Sequence, residues 1–444
     1  MFIIDGSAGD SAAGVCVDLP RPDLNAPRVF PVQITRAAAL LDLIQDEGIP
    51  SDRALAHAFR AERGMGKRDR TQLQVLVFFV LRYWRTLDVL MDLPLDTERG
   101  SSLPRLGVAL ALADRLDDTL AALTGVDGAV IARRLAAPMS LAARLNLRYG
   151  DMQRLRAAFV AEAATVGLAL LARAPLDIRT NTRVTTPDAL RAELHAAGIA
   201  SEPIAGLAHA LRLVDNAALT QLDAFKTGAF EVQDAGSQWI IEACQAQSGM
   251  SVLDLCAGAG GKALGLAQVV GETGRVLACD VDFERLSRLP LRSERAGWKN
   301  IECQPIDHGQ DREVVRRAPF DRVLIDAPCS GSGTVRRHPE LKQAAIDLTA
   351  LGAIQAQLLD DGAEVTRPDG LLIYATCSLW LDENEAQIEA FLRRHPAWRL
   401  EPLPATIADF VAPAAVEPAC GMARIRPDKQ GGDGFFFAVL RAPS

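Results

Sequence analysis

With 444 residues, 49% of them hydrophobic, the chain is long enough for two or three domains and can bury substantial cores. Its eight cysteines show no regular short spacing and no C-x-x-C pair, which argues against a disulfide framework, a metal site or a redox dithiol and predicts a reduced, cytoplasmic setting. A formal net charge of −8 argues against a protein coated in nucleic acid and leaves a local basic face open.

Residues 1–28 are rich in Gly, Ala, Asp and Pro without periodicity and read as a flexible tail. The start lacks the basic segment of a secretory signal, and no apolar run reaches transmembrane length, so no membrane association is expected. From Pro31 the spacing turns helical: Ile34, Ala38, Leu41 and Ile44 share one face, and "QLQVLVFFVLRYWRTLDVLM" reads as a second, strongly apolar helix. Helices and turns are predicted over 29–150. Between two of them "RAERGMGKRDR" gathers Arg60, Arg63, Lys67, Arg68 and Arg70, which a solvated helix connection and an RNA phosphate contact explain equally well.

Over 151–235 the pattern predicts a small α/β module, with strands at "LDIRTN", "AHALRLV" and "AFEVQD" and a helix at "PDALRAELHAAG". Over 236–444 the strands "SVLDLC", "RVLACD", "IECQPID", "DRVLIDA" and "GLLIYAT" alternate with helical stretches. That alternation predicts a doubly wound, Rossmann-like α/β domain, a parallel sheet covered on both faces.

After "SVLDLC" comes "AGAGGKALGLA", a glycine-rich turn opening a helix, where the backbone can approach a ligand and helix amides are free. Gly258, Gly260 and Ala263 satisfy the dinucleotide pattern G-x-G-x-x-G/A, a weak signal by itself; Cys256 and Ala263 exclude a P-loop. Asp280, Asp307 and Asp326 each stand at or beside the carboxyl end of a successive strand, where open α/β sheets bind ligands. A single strand-end aspartate is usually a turn or cap residue. Three in register with a glycine loop favour a ligand with ribose hydroxyls, an adenine amine and a cationic centre, as S-adenosylmethionine has.

Cys329 in "DAPCSGSG" and Cys377 in "YATCS" lie just beyond the apolar cores of their strands, on the same sheet edge as the glycine loop. Buried cysteine is normally an inert small hydrophobe, and that reading suits Cys244, Cys279 and Cys303. Two loop thiols beside a methyl donor suit another chemistry. Carbon 5 of cytosine is too electron-poor to take a methyl group directly, and adding a thiolate to C6 makes C5 an enamine-like nucleophile.

"LDLCAGAGGK", "DAPCSGSGTVRRHPE", "YATCSLWLDENEAQI" and "GGDGFFFAVL" resemble motifs of the RNA cytosine-5 methyltransferases of the NOL/NOP/Sun family, over roughly residues 140–444. With the helical "KRDRTQLQVLVFFVLRYWRTLD" stretch added, the chain resembles the bacterial 16S ribosomal RNA methyltransferase B type, whose N-terminal domain is similar to the antitermination factor NusB. The resemblance implies an all-helical NusB-like domain, a small RRM-like module and a class I methyltransferase domain using S-adenosylmethionine on RNA. It implies that Cys256, Ala257, Gly258, Ala259, Gly260, Gly261 and Lys262 hold the methionine part of the donor, Asp280 its ribose and Asp307 its adenine side. Asp326 would sit between donor and cytosine, Cys377 would be the nucleophile, and Cys329 would assist product release. Lys262 would lie near the donor carboxylate or the target base. The family loop usually reads CAAPGGKT, from which Gly258, Ala259 and Ala263 depart. Arg336, Arg337 and His338, following the first thiol motif, are expected to meet phosphate. The target cytosine must be unpaired or flipped, in a single-stranded or looped RNA region. A monomer without metal is expected. Two alternatives come from other classes. An NAD-dependent oxidoreductase would share the glycine loop but has no use for both thiols, and a non-catalytic RNA-binding protein would not need Cys377.

Overall fold

The apolar spacing that begins at Ile34 becomes the buried face of the helix Pro31–Glu47, which starts with proline in its first turn and ends on Gly48 at φ +65°. The computed structural model describes residues 21–24, 28–95, 100–215, 217–306, 319–413 and 421–444. Most of the 1–28 tail, together with Cys16, Asp307 and Cys420, lies outside the described residues. The chain forms two units, one comprising residues up to Ala172 with Val335–Ala345, the other Arg173–Thr334 with Ile346–Ser444.

The first unit is helical. The apolar stretch expected as a helix is Lys67–Leu90, whose Leu76, Val77, Val80, Leu81, Leu87 and Leu90 are buried among its neighbours Pro31–Glu47 and Ser102–Leu112. Its core holds an ion pair, Asp88 to Arg105 at 2.6 Å, with the guanidinium 3.9 Å from the Trp84 ring centre. Burial outweighs that partner and pushes the Asp88 carboxyl up to about 6. Helix runs past residue 150, with Tyr149–Phe159 and Ala163–Ala169, where mixed short elements were expected. Arg60, Arg63, Lys67 and Arg68 are exposed between or at the ends of helices, whereas Arg70 donates to the Met65 carbonyl at 2.9 Å and packs on Phe59.

Val335–Ala345 joins this unit from far along the chain. The backbone N–H and hydroxyl of Ser51, at the start of the helix Ser51–Ala61, donate to the Glu340 carboxylate at 3.1 and 2.9 Å, placing an anion at a helix N-terminus. Arg82 donates to the Arg336 carbonyl and Arg148 to the Gln343 carbonyl, at 3.0 and 2.7 Å. Arg336 is itself buried and reaches the Ala172 carbonyl, so it is a structural residue and not the phosphate contact expected of it.

The second unit begins with strands β1 (Leu176–Thr180), β2 (Ser201–Pro203), β3 (Ala210–Leu213) and β4 (Phe230–Val232), an antiparallel sheet in the order β2-β3-β1-β4. The helix Pro187–Ala196 covers it with Leu190 and Leu194, against Ile178, Leu211 and Phe230.

The larger sheet carries β5 (Ser251–Asp254), β6 (Arg275–Asp280), β7 (Ile301–Pro305), β8 (Phe320–Asp326), β9 (Thr366–Thr376), β10 (Arg399–Leu400), β11 (Ala412–Pro413), β12 (Met422–Ile425) and β13 (Phe435–Arg441). Its order is β11-β12-β13-β9-β8-β5-β6-β7, with β10 beside β13. β5 to β9 are parallel, as their alternation with helices predicts; β10 to β13 add antiparallel pairs and make the sheet mixed. Successive residues point to opposite faces, so Leu324 joins one core with Leu264 and Ile241, while Val323 and Ile325 join the other with Leu359 and Phe391. From β5 the chain winds outward to β6 and β7 and then crosses back to β8 on the other side of β5, and the crevice at such a switch point is where open α/β sheets bind ligands.

Candidate active site

Four parallel strands end at this crevice, and each delivers its functional residue at or just beyond its last position. β5 ends in Asp254 and opens the loop that starts the helix Gly261–Val270; β6 ends in Asp280, β8 in Asp326 and β9 in Thr376. Cys329 and Cys377 follow β8 and β9. Cys256, Ala257, Asp280, Asp326, Cys329 and Cys377 all line one cleft of about 730 Å³, the size of a small-ligand site. Asp307 belongs to the segment outside the described residues.

The loop's shape depends on glycine at two positions. Gly258 and Gly260 have φ of +54° and +82°, and a Cβ on Gly260 would stand 2.2 Å from Leu289. The Gly258 N–H donates to one Asp280 oxygen at 2.6 Å and the Asp282 N–H to the other at 2.7 Å, so the carboxylate is held at the rim with lone pairs to spare. The Ala259 carbonyl accepts from Arg292 at 2.5 Å, and Arg292 also pairs with Glu231 of β4 at 2.9 Å. Gly261 opens the helix whose second residue is Lys262.

Lys262 is buried, with Nζ 2.6 Å from Asp326 Oδ2 and 5.8 Å from the Phe435 ring centre. Burial opposes its charge, but Asp326 and then Asp254 more than offset this and hold the ammonium above its usual range. The two thiols stand with Sγ atoms 3.4 Å apart. The hydrogen bond to Cys377, burial and the nearby Glu383 charge together push the Cys329 thiol well up, so it keeps its proton at neutral pH. The Gly333 N–H donates to the Cys377 carbonyl at 2.9 Å, which joins the two thiol loops through backbone. Cys244 and Cys279 lie wholly in the core and Cys303 beside it, with their thiols pushed up by burial, Cys279 to about 12. Cys256 reaches the cleft, yet burial and three carboxylates hold its thiol well above the ordinary range.

The site also contains residues that the motifs do not single out. Asp254 is buried, and its oxygens have no hydrogen-bond partner of good geometry, the Ala263 amide giving only a minor offset. Glu383 and Gln355 are fully buried behind the thiol loops. A "DENE" run after "TCS" is the only sequence signal for Glu383, and it reads equally well as a solvated turn.

These residues fit an adenosyl ligand carrying a positive charge. Asp280 offers acceptors for ribose hydroxyls, Val281, Ile306, Pro328 and Leu358 supply an apolar wall for a base, and the Asp280 and Asp326 carboxylates on the lining suit a cationic centre. Positive-φ glycines leave the loop backbone open to close approach.

Comparison with known proteins points the same way. Residues 242–441 match the family 16S rRNA methyltransferase RsmB/F, and residues 152–220 match the ferredoxin-like domain of RsmF/B-like methyltransferases. The chain is 37% identical to ribosomal RNA small subunit methyltransferase B of Pasteurella multocida over 60% of its own length, spanning 59% of that relative. It is 32% identical to the protein of the same name from Citrobacter koseri over 85% of its length and 92% of that relative's. A crystal structure of PH0851 shares the fold over 93% of this chain and 99% of that one, with a TM-score of 0.75 at 23% identity.

Proposed function

We propose that this chain, which belongs to the 16S rRNA methyltransferase RsmB/F family, methylates C5 of a cytosine in ribosomal RNA through a covalent bond from Cys377 to C6. The observation that carries the reading is the pair of thiols 3.4 Å apart in a cleft shared with Asp280 and Asp326. A donor-binding protein without covalent chemistry would need neither.

Asp280 and the loop 256–262 would hold S-adenosylmethionine, which when bound supplies an electrophilic methyl group. The chain's own residues do the rest. Asp326, anchored by Lys262, accepts from the pyrimidine edge and orients the ring. The Cys377 thiolate adds to C6, which makes C5 electron-rich. Once C5 carries the methyl group, its proton passes to a water in the open cleft, the C5=C6 double bond re-forms, and the C6–S bond breaks to return Cys377 as a thiolate. Cys329, held as a neutral thiol against that sulfur, donates a hydrogen bond to the departing thiolate. The resemblance of the two thiol loops to the family's motifs assigns Cys377 to attack and Cys329 to release. The cytosine must be unstacked to reach the cleft, so an unpaired region of RNA is the substrate. The exposed Arg63 and Lys67 of the helical unit are assigned to its phosphates.

Replacing each thiol separates the roles. Cys377→Ala should bind donor and RNA, form no adduct and lose turnover. Cys329→Ala should accumulate a protein–RNA adduct that survives denaturing electrophoresis, and the double variant should show none. An adduct that persists in Cys377→Ala would reverse the roles, and full activity in both single variants would sink covalent catalysis.

A further inference from the structure

The thiol that follows β8 and the thiol that follows β9 sit on separate loops that strand pairing, which runs to Asp326 beside Ala375, brings side by side; beyond the strands, their 3.4 Å spacing depends on what ties the loops to each other. Each cysteine is followed by a serine, and both serines bind the same carboxylate. Glu383 is fully buried in the short turn Leu381–Glu383. Its Oε1 accepts the Ser330 backbone N–H at 2.8 Å and the Gln355 amide at 3.2 Å, and its Oε2 accepts the Ser378 hydroxyl. Gln355 in turn donates to the Pro328 carbonyl at 2.9 Å, on the near side of Cys329. The Tyr374 hydroxyl, from β9, donates to the Glu383 carbonyl at 2.7 Å and fixes the turn itself.

The arrangement specifies an acceptor. Ser378 Oγ accepts from the Trp380 N–H at 3.1 Å and from the Ser330 hydroxyl at 3.2 Å, and the Ser332 hydroxyl, which itself accepts the Leu379 N–H, also lies 3.2 Å away. Its own proton is directed to the Glu383 carboxylate, the nearest of its partners. The Ser330 N–H is backbone and cannot reverse direction. A carboxylate satisfies both loops at once; a glutamine would turn an N–H against one of them, and an unmatched buried donor is strongly disfavoured.

We infer that Glu383 is a positioning residue, whose carboxylate sets the separation of Cys329 and Cys377 by holding the residue after each. This rests on the proposed role of the two thiols, but the spacing can be read without any methylation. In the full-length protein, dibromobimane bridges thiols only when they are close, and peptide mapping identifies the bridged pair. Wild type is expected to bridge Cys329 to Cys377. Glu383→Gln is expected to slow bridging by about 10-fold and to lower kcat for methylation of ribosomal RNA by about 100-fold, with KM for RNA and donor within about twofold, since a small misplacement of reacting groups costs rate and not binding. Ser378→Ala removes one of the three donors and should fall between the two, which keeps the test open if Glu383→Gln does not fold. Wild-type bridging and kcat in both variants would overturn the inference, as would a lowered melting temperature with kcat unchanged. Loss of bridging in Glu383→Gln, in a protein whose wild type methylates no cytosine, would uphold the positioning role and overturn the cytosine chemistry instead.

Discussion

Asp254 closes β5 with a carboxyl that has lost nearly all contact with water. Burial and then the Asp326 charge push it up to about 7 from an ordinary 3.8. Between those values the folded chain binds the proton that the unfolded chain has released, so this group's contribution to stability is intact below about pH 4, falls as pH rises toward 7 and is flat above it. The loss is on the order of 4 kcal/mol at most. Asp254→Asn should therefore gain stability over wild type, and gain more at pH 8 than at pH 5; denaturant titrations at both values giving the same difference would show that Asp254 is not held protonated. Sequence could mark Cys329 and Cys377 because a thiol beyond the apolar end of a strand is an unusual residue in an informative place. Asp254 and Glu383 escape that test. An aspartate ending a strand and a glutamate in an acidic turn are both ordinary, and only the tertiary packing around them makes them buried.

At the level of elements, the connection between the thiol loops has a backbone part as tight as the side-chain one. A Cβ on Gly333 would stand 2.1 Å from the Gly434 carbonyl oxygen and 2.9 Å from that of Cys377, neither of which can turn aside. Gly333→Ala should cost about 1–3 kcal/mol by overpacking. Because the displaced backbone carries Cys377, single-turnover methylation should slow more than donor binding weakens, and a stable variant with normal turnover would show that the loop can yield. The five parallel strands were legible because each holds a run of apolar residues bounded by turns, and the first small strands and their helix were legible for the same reason. β2, β10, β11, β12 and β13 were not read as strands: the first four are short and lie outside any longer apolar run, and β13 is a continuous apolar run with no alternation, noted only as a motif. The helix Tyr149–Phe159 escaped because it buries only Met152, Leu155 and Phe159, a thin stripe on an otherwise polar surface.

Over the whole molecule the formal charge is −8, so any attraction to RNA phosphates has to come from local clusters. Arg63 and Lys67 are exposed, while Arg70 is already committed to the Met65 carbonyl. Replacing Arg63 and Lys67 by glutamine should weaken RNA binding and make its logarithmic salt dependence shallower by roughly 1.5 units, as fewer counterions are released; an unchanged slope would return both to the solvated surface. The division of the chain into units also reaches beyond binding, into how the protein is made. The helix that starts at Ser51 finds its capping carboxylate on Glu340, 289 positions later. At about 5–20 residues per second of synthesis, roughly 15 to 60 seconds separate the emergence of those two residues from the ribosome. During that interval the nascent helical unit lacks the strand of chain that completes it, and it is finished only after the thiol loop carrying Cys329 has been translated.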